Sequence, residues 1–341
     1  MGLEEYHATT GNWREQLQRN ERKTKFVIFT FILVYAFIGL IVDAFMWSST
    51  YPQVPLSTLL YALITLKIIP YATFILAGIA VVSLLIAYAM YDRIMLLGTE
   101  YHEITPETAA SLQERQLYNV VEEMKVAAGM QYMPKVFIIE ANYMNAFASG
   151  YSERSAMVAI TRGLLEKLDR AEMQAVMAHE LSHIRHHDIK LTLMVAVLSN
   201  IMLIVIDMLF YSIIFGRGRD RRNQNGLATV IILLRYLLPL ITLVLGLFLS
   251  RTREYMADSG SVELMRDNEP MARALLKIHN DHKVNAEQYA VEYGRTPHEQ
   301  VRQASYLYDP SAIDPVKSLS SAFSTHPQIE DRLSAIGFKR K

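Results

Sequence analysis

The chain contains no cysteine, so disulfides, thiolate metal sites and a cysteine nucleophile are all excluded. It has no excess of either charge: 34 Lys and Arg balance 34 Asp and Glu. That balance gives no global pull toward nucleic acid, and basic patches are confined to local clusters. Charge is also scarce, at 20% against 51% hydrophobic residues, so something other than a simple soluble core must absorb apolar surface. No internal repeat or low-complexity segment breaks the chain. Without thiols, any metal site must be built from the ten histidines and the carboxylates, donors that zinc accepts.

What is present is organised around four apolar runs. Phe26 to Trp47 is apolar except for Asp43, long enough to span a bilayer, which takes about 20 residues. It exceeds the roughly 7–15 residues of a secretory signal core and lacks a small-residue cleavage site, so it reads as an uncleaved anchor. The second run is Tyr71 to Tyr91, after Pro70; the third is Leu191 to Phe215 and the fourth Leu227 to Leu249. Arg14, Arg19, Arg22, Lys23 and Lys25 precede the first run and keep the N-terminus in the cytoplasm, which returns the chain to the cytoplasm from Asp92 onward. The tip of the second hairpin carries Arg217, Arg219, Arg221 and Arg222, against the same rule; the early helices decide the orientation. Asp207 and Arg235 are each 14 residues from Arg221, so an antiparallel hairpin predicts that they meet at equal depth and pair.

Between the hairpins the pattern changes. Thr105-Pro106-Glu107 reads as the opening of a helix over Ala109 to Ala128, stopped by Gly129. Val136–Ile139 and Ala156–Ile160 read as strands, with 145–150 as a third, edge-like one. Asp169 with Glu172 forms a capping-box signature that opens the next helix. The polar stretch from about Asn285 to Pro315, with Gly294, Pro297 and Pro310, reads as a connecting loop.

The helix opened at Asp169 carries His179-Glu180-Leu181-Ser182-His183. Positions i and i+4 share a helix face, so both imidazoles can reach one metal ion. Glu180 is then close enough to a water at the metal to take its proton and pass it to a leaving amine. A hydrolytic zinc site needs three protein ligands and one open position. His187, one turn on, is one possible third ligand; Glu254 is another. Glu254 and Asp258 also lie four apart, so Asp258 can accept the N–H of a ligand histidine while Glu254 binds.

His179-Glu180-Leu181-Ser182-His183, Ser250-Arg251 with Glu254 and Ala257-Asp258, and Ser324-Thr325-His326-Pro327 stand in that order. Together with Asn145-Ala146-Phe147-Ala148 and the segment Ala156 to Leu165, they resemble the HtpX-type bacterial membrane zinc metalloproteases. Those are relatives of the Ste-type CAAX prenyl endopeptidases. The resemblance covers about residues 105–335 and the paired N-terminal anchors. It implies an α+β, mostly α-helical, membrane-anchored zincin of gluzincin-like type, with a small β-sheet and about four transmembrane or membrane-embedded helices. It implies one Zn2+ per chain, Glu254 as third ligand, and a strand at Asn145, Ala146 and Phe147 that pairs with substrate backbone. It further implies His326 as an oxyanion donor and Arg332 as a structural residue, with no role for His186 and His187.

The domains expected on this basis are a cytoplasmic N-terminal segment (1–25), a two-helix anchor (26–91), a first protease part (92–190), a membrane hairpin (191–249) and a second protease part (250–341). The implied activity is hydrolysis of misfolded or damaged membrane proteins, or other unfolded polypeptides, at the cytoplasmic face of a bacterial plasma membrane, with the lipid bilayer and no nucleic acid as partner. A CAAX-type processing enzyme would be expected to carry more spans. A catalytically silent membrane scaffold would have no use for Glu180.

Overall fold

The computed structural model describes residues 2–8, 13–96, 100–150, 152–215, 225–295, 305–308 and 326–340. The chain begins with β1 (Tyr6–Ala8), α1 (Trp13–Thr50), α2 (Leu56–Ile64) and α3 (Tyr71–Leu96). There follow β2 (Tyr101–Ile104), α4 (Leu112–Ala127), β3 (Lys135–Ile139), β4 (Ala146–Ser149), β5 (Met157–Thr161), α5 (Arg162–Lys167) and α6 (Arg170–Arg185). The remainder is α7 (Asp188–Phe215), α8 (Asn225–Met265), α9 (Glu269–Val284), α10 (Ala286–Arg295), α11 (Ile329–Ala335) and β6 (Phe338–Arg340). The mostly helical α+β class is therefore as expected. The chain divides into two compact units.

The first unit takes Met1–Thr24, Tyr88–Leu191 and Leu247–Lys341. Its main sheet has the order β2-β3-β5-β4, with β3 and β5 parallel and the other pairs antiparallel. Both faces of β3, β5 and β4 are covered, which is why these strands read as continuous apolar runs rather than alternating ones. Val136, Ile138, Val158 and Ile160 pack with Leu117 and Val121 of α4 and Val176 and Met177 of α6. Phe137, Phe147, Met157 and Ala159 turn the other way, onto Tyr143, Tyr289, Tyr293 and Tyr306. Each large apolar side chain so buried contributes roughly 1.5–3 kcal/mol. A second, two-stranded sheet joins the chain ends, pairing β1 with β6.

Three local expectations change. The helix expected from Thr105 starts instead at Leu112. Ser111 Oγ accepts from the Glu114 N–H while the Glu114 carboxylate accepts from the Ala110 and Ser111 N–H groups, a capping box that opens the helix. Thr105 bonds with Thr108 in a turn of its own. That turn follows β2, a strand that the apolar pattern does not announce because only Ile104 of its four residues is buried. The expected loop from Asn285 carries α10, whose Tyr289 and Tyr293, four apart, are buried; the remaining expected loop residues, apart from 305–308, lie outside those described.

Within the first unit α6 and α8 approach closely. Gly260 of α8 faces Ser182 of α6, where an added β-carbon would lie 2.9 Å from Ser182 Cβ. The next residue, Ser261, donates its hydroxyl to the Ala175 carbonyl at 2.7 Å. The absence of a side chain at Gly260 lets α8 sit against the helix that carries the histidines.

The second unit takes Lys25–Ala87 and Thr192–Gly246. Among the described residues, three helices are long and apolar enough to cross a membrane, over Leu17–Thr50, Lys190–Phe215 and Gly226–Met265, and Tyr71–Ala87 is a shorter apolar helix. Asp43, buried in α1, accepts from the Ala72 N–H at 2.8 Å, the Thr73 N–H at 2.9 Å and the Thr73 hydroxyl at 2.7 Å. It thereby caps the first turn of α3, where free N–H groups have no water to bond in an apolar surrounding. Arg235 Nη1 lies 3.2 Å from Asp207 Oδ1, the pairing expected from their spacing, and its guanidinium also covers the Phe210 ring. The four arginines between them lie outside the described residues.

Two substitutions test these contacts. Asp43→Ala removes the carboxylate that caps α3 and is expected to destabilise by roughly 1–3 kcal/mol in detergent, with Asp43→Asn intermediate. Gly260→Ala would ordinarily stabilise an exposed helix by about 1 kcal/mol. Here the contact with Ser182 reverses the sign to a loss of roughly 1–3 kcal/mol, partly restored by Ser182→Gly, as thermal unfolding would record.

Candidate metal centre

The site is built from four segments of the first unit. Helix α6 is opened by the Asp169–Glu172 capping box, in which each residue accepts from the other's backbone N–H at 2.8 and 2.9 Å. It carries His179, Glu180 and His183 on one face. Glu254 and Asp258 come from α8, Asp188 from the start of α7, and His326 and Arg332 from the end of the chain. Asp258 and His179 are fully buried and His183 partly so.

His179 Nε2 and His183 Nε2 lie 3.1 Å apart. Glu254 completes the group, with Oε1 3.6 Å from His183 Nε2 and Oε2 3.8 Å from His179 Nε2. Among the described residues, these three side chains form the group able to hold a metal ion, with ligand atoms within 4.8 Å of one another. For comparison, a tetrahedron with bonds of 2.0–2.1 Å has edges of about 3.3–3.4 Å. His187, the other candidate from spacing, is exposed and has φ +56°. His186 caps the end of α6.

The protonation of the histidines follows from their partners. His179 Nδ1 is 3.0 Å from Asp258 Oδ1, and His183 Nδ1 is 2.6 Å from Asp188 Oδ2. A carboxylate can only accept, so each Nδ1 carries the proton and each Nε2 is left with a bare lone pair. Two such lone pairs facing each other at 3.1 Å repel unless a cation lies between them. The donor set therefore fits a metal ion. Burial holds both imidazoles down at about 4, so neither has a proton to surrender to a metal at neutral pH.

Each of those carboxylates is held in turn by an arginine. Arg332 grips Asp258 with two contacts, Nε–Oδ2 at 2.9 Å and Nη2–Oδ1 at 2.7 Å. It also donates to the Leu307 carbonyl and lies 3.5 Å from Glu254 Oε2. Arg253 Nη2 lies 3.0 Å from Asp188 Oδ1. The Asp258 position agrees with the four-residue spacing that suggested it. Asp188 and Arg253 were not foreseen; the only signals for them are an acid five residues after His183 and a base next to Glu254.

Glu180 is buried, close to the Ala148 backbone N–H and the Glu254 carboxylate. Burial first, and the neighbouring Glu254 charge second, hold its carboxyl well above the ordinary range. His326 Nδ1 lies 3.3 Å from Glu254 Oε2. Strand β4 is the outer strand of its sheet. Asn145, just before it, is fully buried, and its amide bonds to the Tyr308 backbone, to Tyr293 and to the Ala146 N–H. The Leu307 N–H donates to the Ala146 carbonyl at 2.9 Å, and the Ala146 and Phe147 side chains are buried.

Comparison with known proteins agrees with this chemistry. The model of peptidase family M48 matches residues 111–338. A "Protease HtpX homolog" of Helicobacter acinonychis is 41% identical over 326 residues, covering 95% of this chain and 98% of that one. A homolog of the same name from Streptococcus uberis is 31% identical over 329 residues, covering 94% and 98%. Among solved structures, S. mikatae Ste24p aligns with a TM-score of 0.48 and 17% identity, covering 94% of this chain and 66% of that one. The chain belongs to peptidase family M48, as a membrane-integral metalloendopeptidase of the HtpX type.

Proposed function

We propose that this protein hydrolyses peptide bonds of misfolded or damaged membrane proteins at the cytoplasmic face of a bacterial inner membrane, using one zinc ion held by His179, His183 and Glu254. The observation that carries the metal reading is the pair of bare Nε2 atoms 3.1 Å apart with a carboxylate beside them. The ligand atoms are all nitrogen and oxygen, a set that suits zinc. The cytoplasmic orientation rests on the basic residues Arg14, Arg19, Arg22, Lys23 and Lys25 ahead of the first span.

Zinc supplies a Lewis-acid charge that polarises the scissile carbonyl and lowers the pKa of a water toward about 7. Glu180, buried one residue from His179, takes the proton of the attacking water. The same proton then passes to the leaving amine. His326 donates an N–H to the oxyanion that develops on the carbonyl. Arg332 and Asp258 hold His179 in its ligating tautomer. The substrate backbone lies along the outer edge of β4, beyond the position that Leu307 occupies at Ala146, and pairs as an added strand.

Glu180→Gln tests the base directly. It is expected to keep one zinc per chain and to lose about 10²–10⁴-fold in cleavage of a flexible membrane-protein substrate; retained activity would remove Glu180 from the mechanism. The histidine environment gives a second test. Free imidazoles titrating at about 6.5 would each lose about tenfold in metal affinity between pH 7.5 and 5.5, roughly 100-fold together. With both held at about 4, zinc affinity measured by chelator competition should change by less than about threefold over that range.

A further inference from the structure

The two ligand histidines are supported by two chains of contacts, one of them through Asp258 and Arg332. The other begins where α6 ends. His186 and His187 return N–H groups to the Ser182 and Ile184 carbonyls, and His187 takes a left-handed conformation at φ +56°. That conformation is unfavourable for a residue with a β-carbon and commonly ends a helix. It turns the chain so that Asp188, five residues after His183, reaches back to it.

Asp188 is 3% exposed and Arg253 is 5% exposed. Each Asp188 oxygen faces a side chain of the site: Oδ2 lies 2.6 Å from His183 Nδ1, and Oδ1 lies 3.0 Å from Arg253 Nη2. Arg253 is adjacent to Glu254 on α8. The third ligand and the brace of the second are therefore consecutive residues of one helix.

We propose that Asp188 and Arg253 are positioning residues for the metal centre. Asp188 fixes the tautomer and ring plane of His183, and Arg253 fixes Asp188. The inference rests on the metal reading given above. It assigns to α8 the placing of two ligands at once, Glu254 directly and His183 through Arg253 and Asp188. A displacement of α8 against α6 would disturb both ligands together.

The test uses full-length protein in detergent and compares wild type, Asp188→Asn, and Asp188→Asn combined with Arg253→Met. Two quantities are measured: zinc affinity by chelator competition, and the melting temperature of the metal-free protein. Asp188→Asn alone removes the ion pair with the buried Arg253, so a loss of stability in that variant has a structural cause. The double variant removes both charges and relieves that cost. A positioning role predicts that the double variant melts with wild type when metal-free and still binds zinc about 10–100-fold more weakly. Wild-type zinc affinity in the double variant would overturn the inference. So would a loss of affinity accompanied by a matching fall in metal-free melting temperature, since the pair would then be structural. If the wild type binds no zinc at all, the metal reading itself has failed, and the inference falls with it.

Discussion

The arrangement depends on two lone pairs. His179 and His183 point Nε2 atoms at each other across 3.1 Å because each turns its Nδ1 toward a carboxylate on its far side. Without those carboxylates either ring could rotate or change tautomer and relieve the repulsion. With them, the repulsion is built into the fold, and a cation between the rings is what relieves it. The buried cost of charging either imidazole, which holds both at about 4, prevents a proton from doing the same work near neutral pH.

The rest of the first unit serves to hold those carboxylates. Asp258 and Asp188 come from different helices, and each needs an arginine because an ionised group buried alone is too costly. Arg332 arrives from α11, close to the chain end, and reaches Asp258, Glu254 and the Leu307 carbonyl. That explains why a centre whose motif occupies five residues requires more than 150 residues of chain to complete, from His179 to Arg332. Gly260 and Ser182 contribute through shape: the small residues let α8 lie against α6 closely enough for Glu254 to face both imidazoles.

Much of this was legible in the sequence, where the signal is local. The histidine spacing, the Asp169–Glu172 cap and the apolar strands are short-range patterns set by backbone geometry, and all three appear where expected. The Asp207–Arg235 contact was also legible, because an antiparallel hairpin equates depth with distance from its turn. The start of α4 was not legible, because Thr105 and Ser111 both sit at the head of a reciprocally bonded i, i+3 pair, and only the one at Ser111 leads into the helix. Strand β2 was missed because its burial comes from pairing at a sheet edge rather than from its own side chains. Asp188 and Arg253 were invisible for a different reason. An acid near a histidine is common, and the choice of its partner is made by how α6, α7 and α8 meet, which no spacing encodes.

The most direct measurement is X-ray absorption at the zinc edge of the purified, zinc-loaded protein. The account predicts a first shell of nitrogen and oxygen at about 2.0–2.1 Å, with outer-shell scattering from two imidazoles and one carboxylate. A fit that required a third imidazole would place His187 or His326 in the shell instead of Glu254 and would contradict the ligand set. Zinc that failed to load at all would contradict the claim that two facing lone pairs call for a metal.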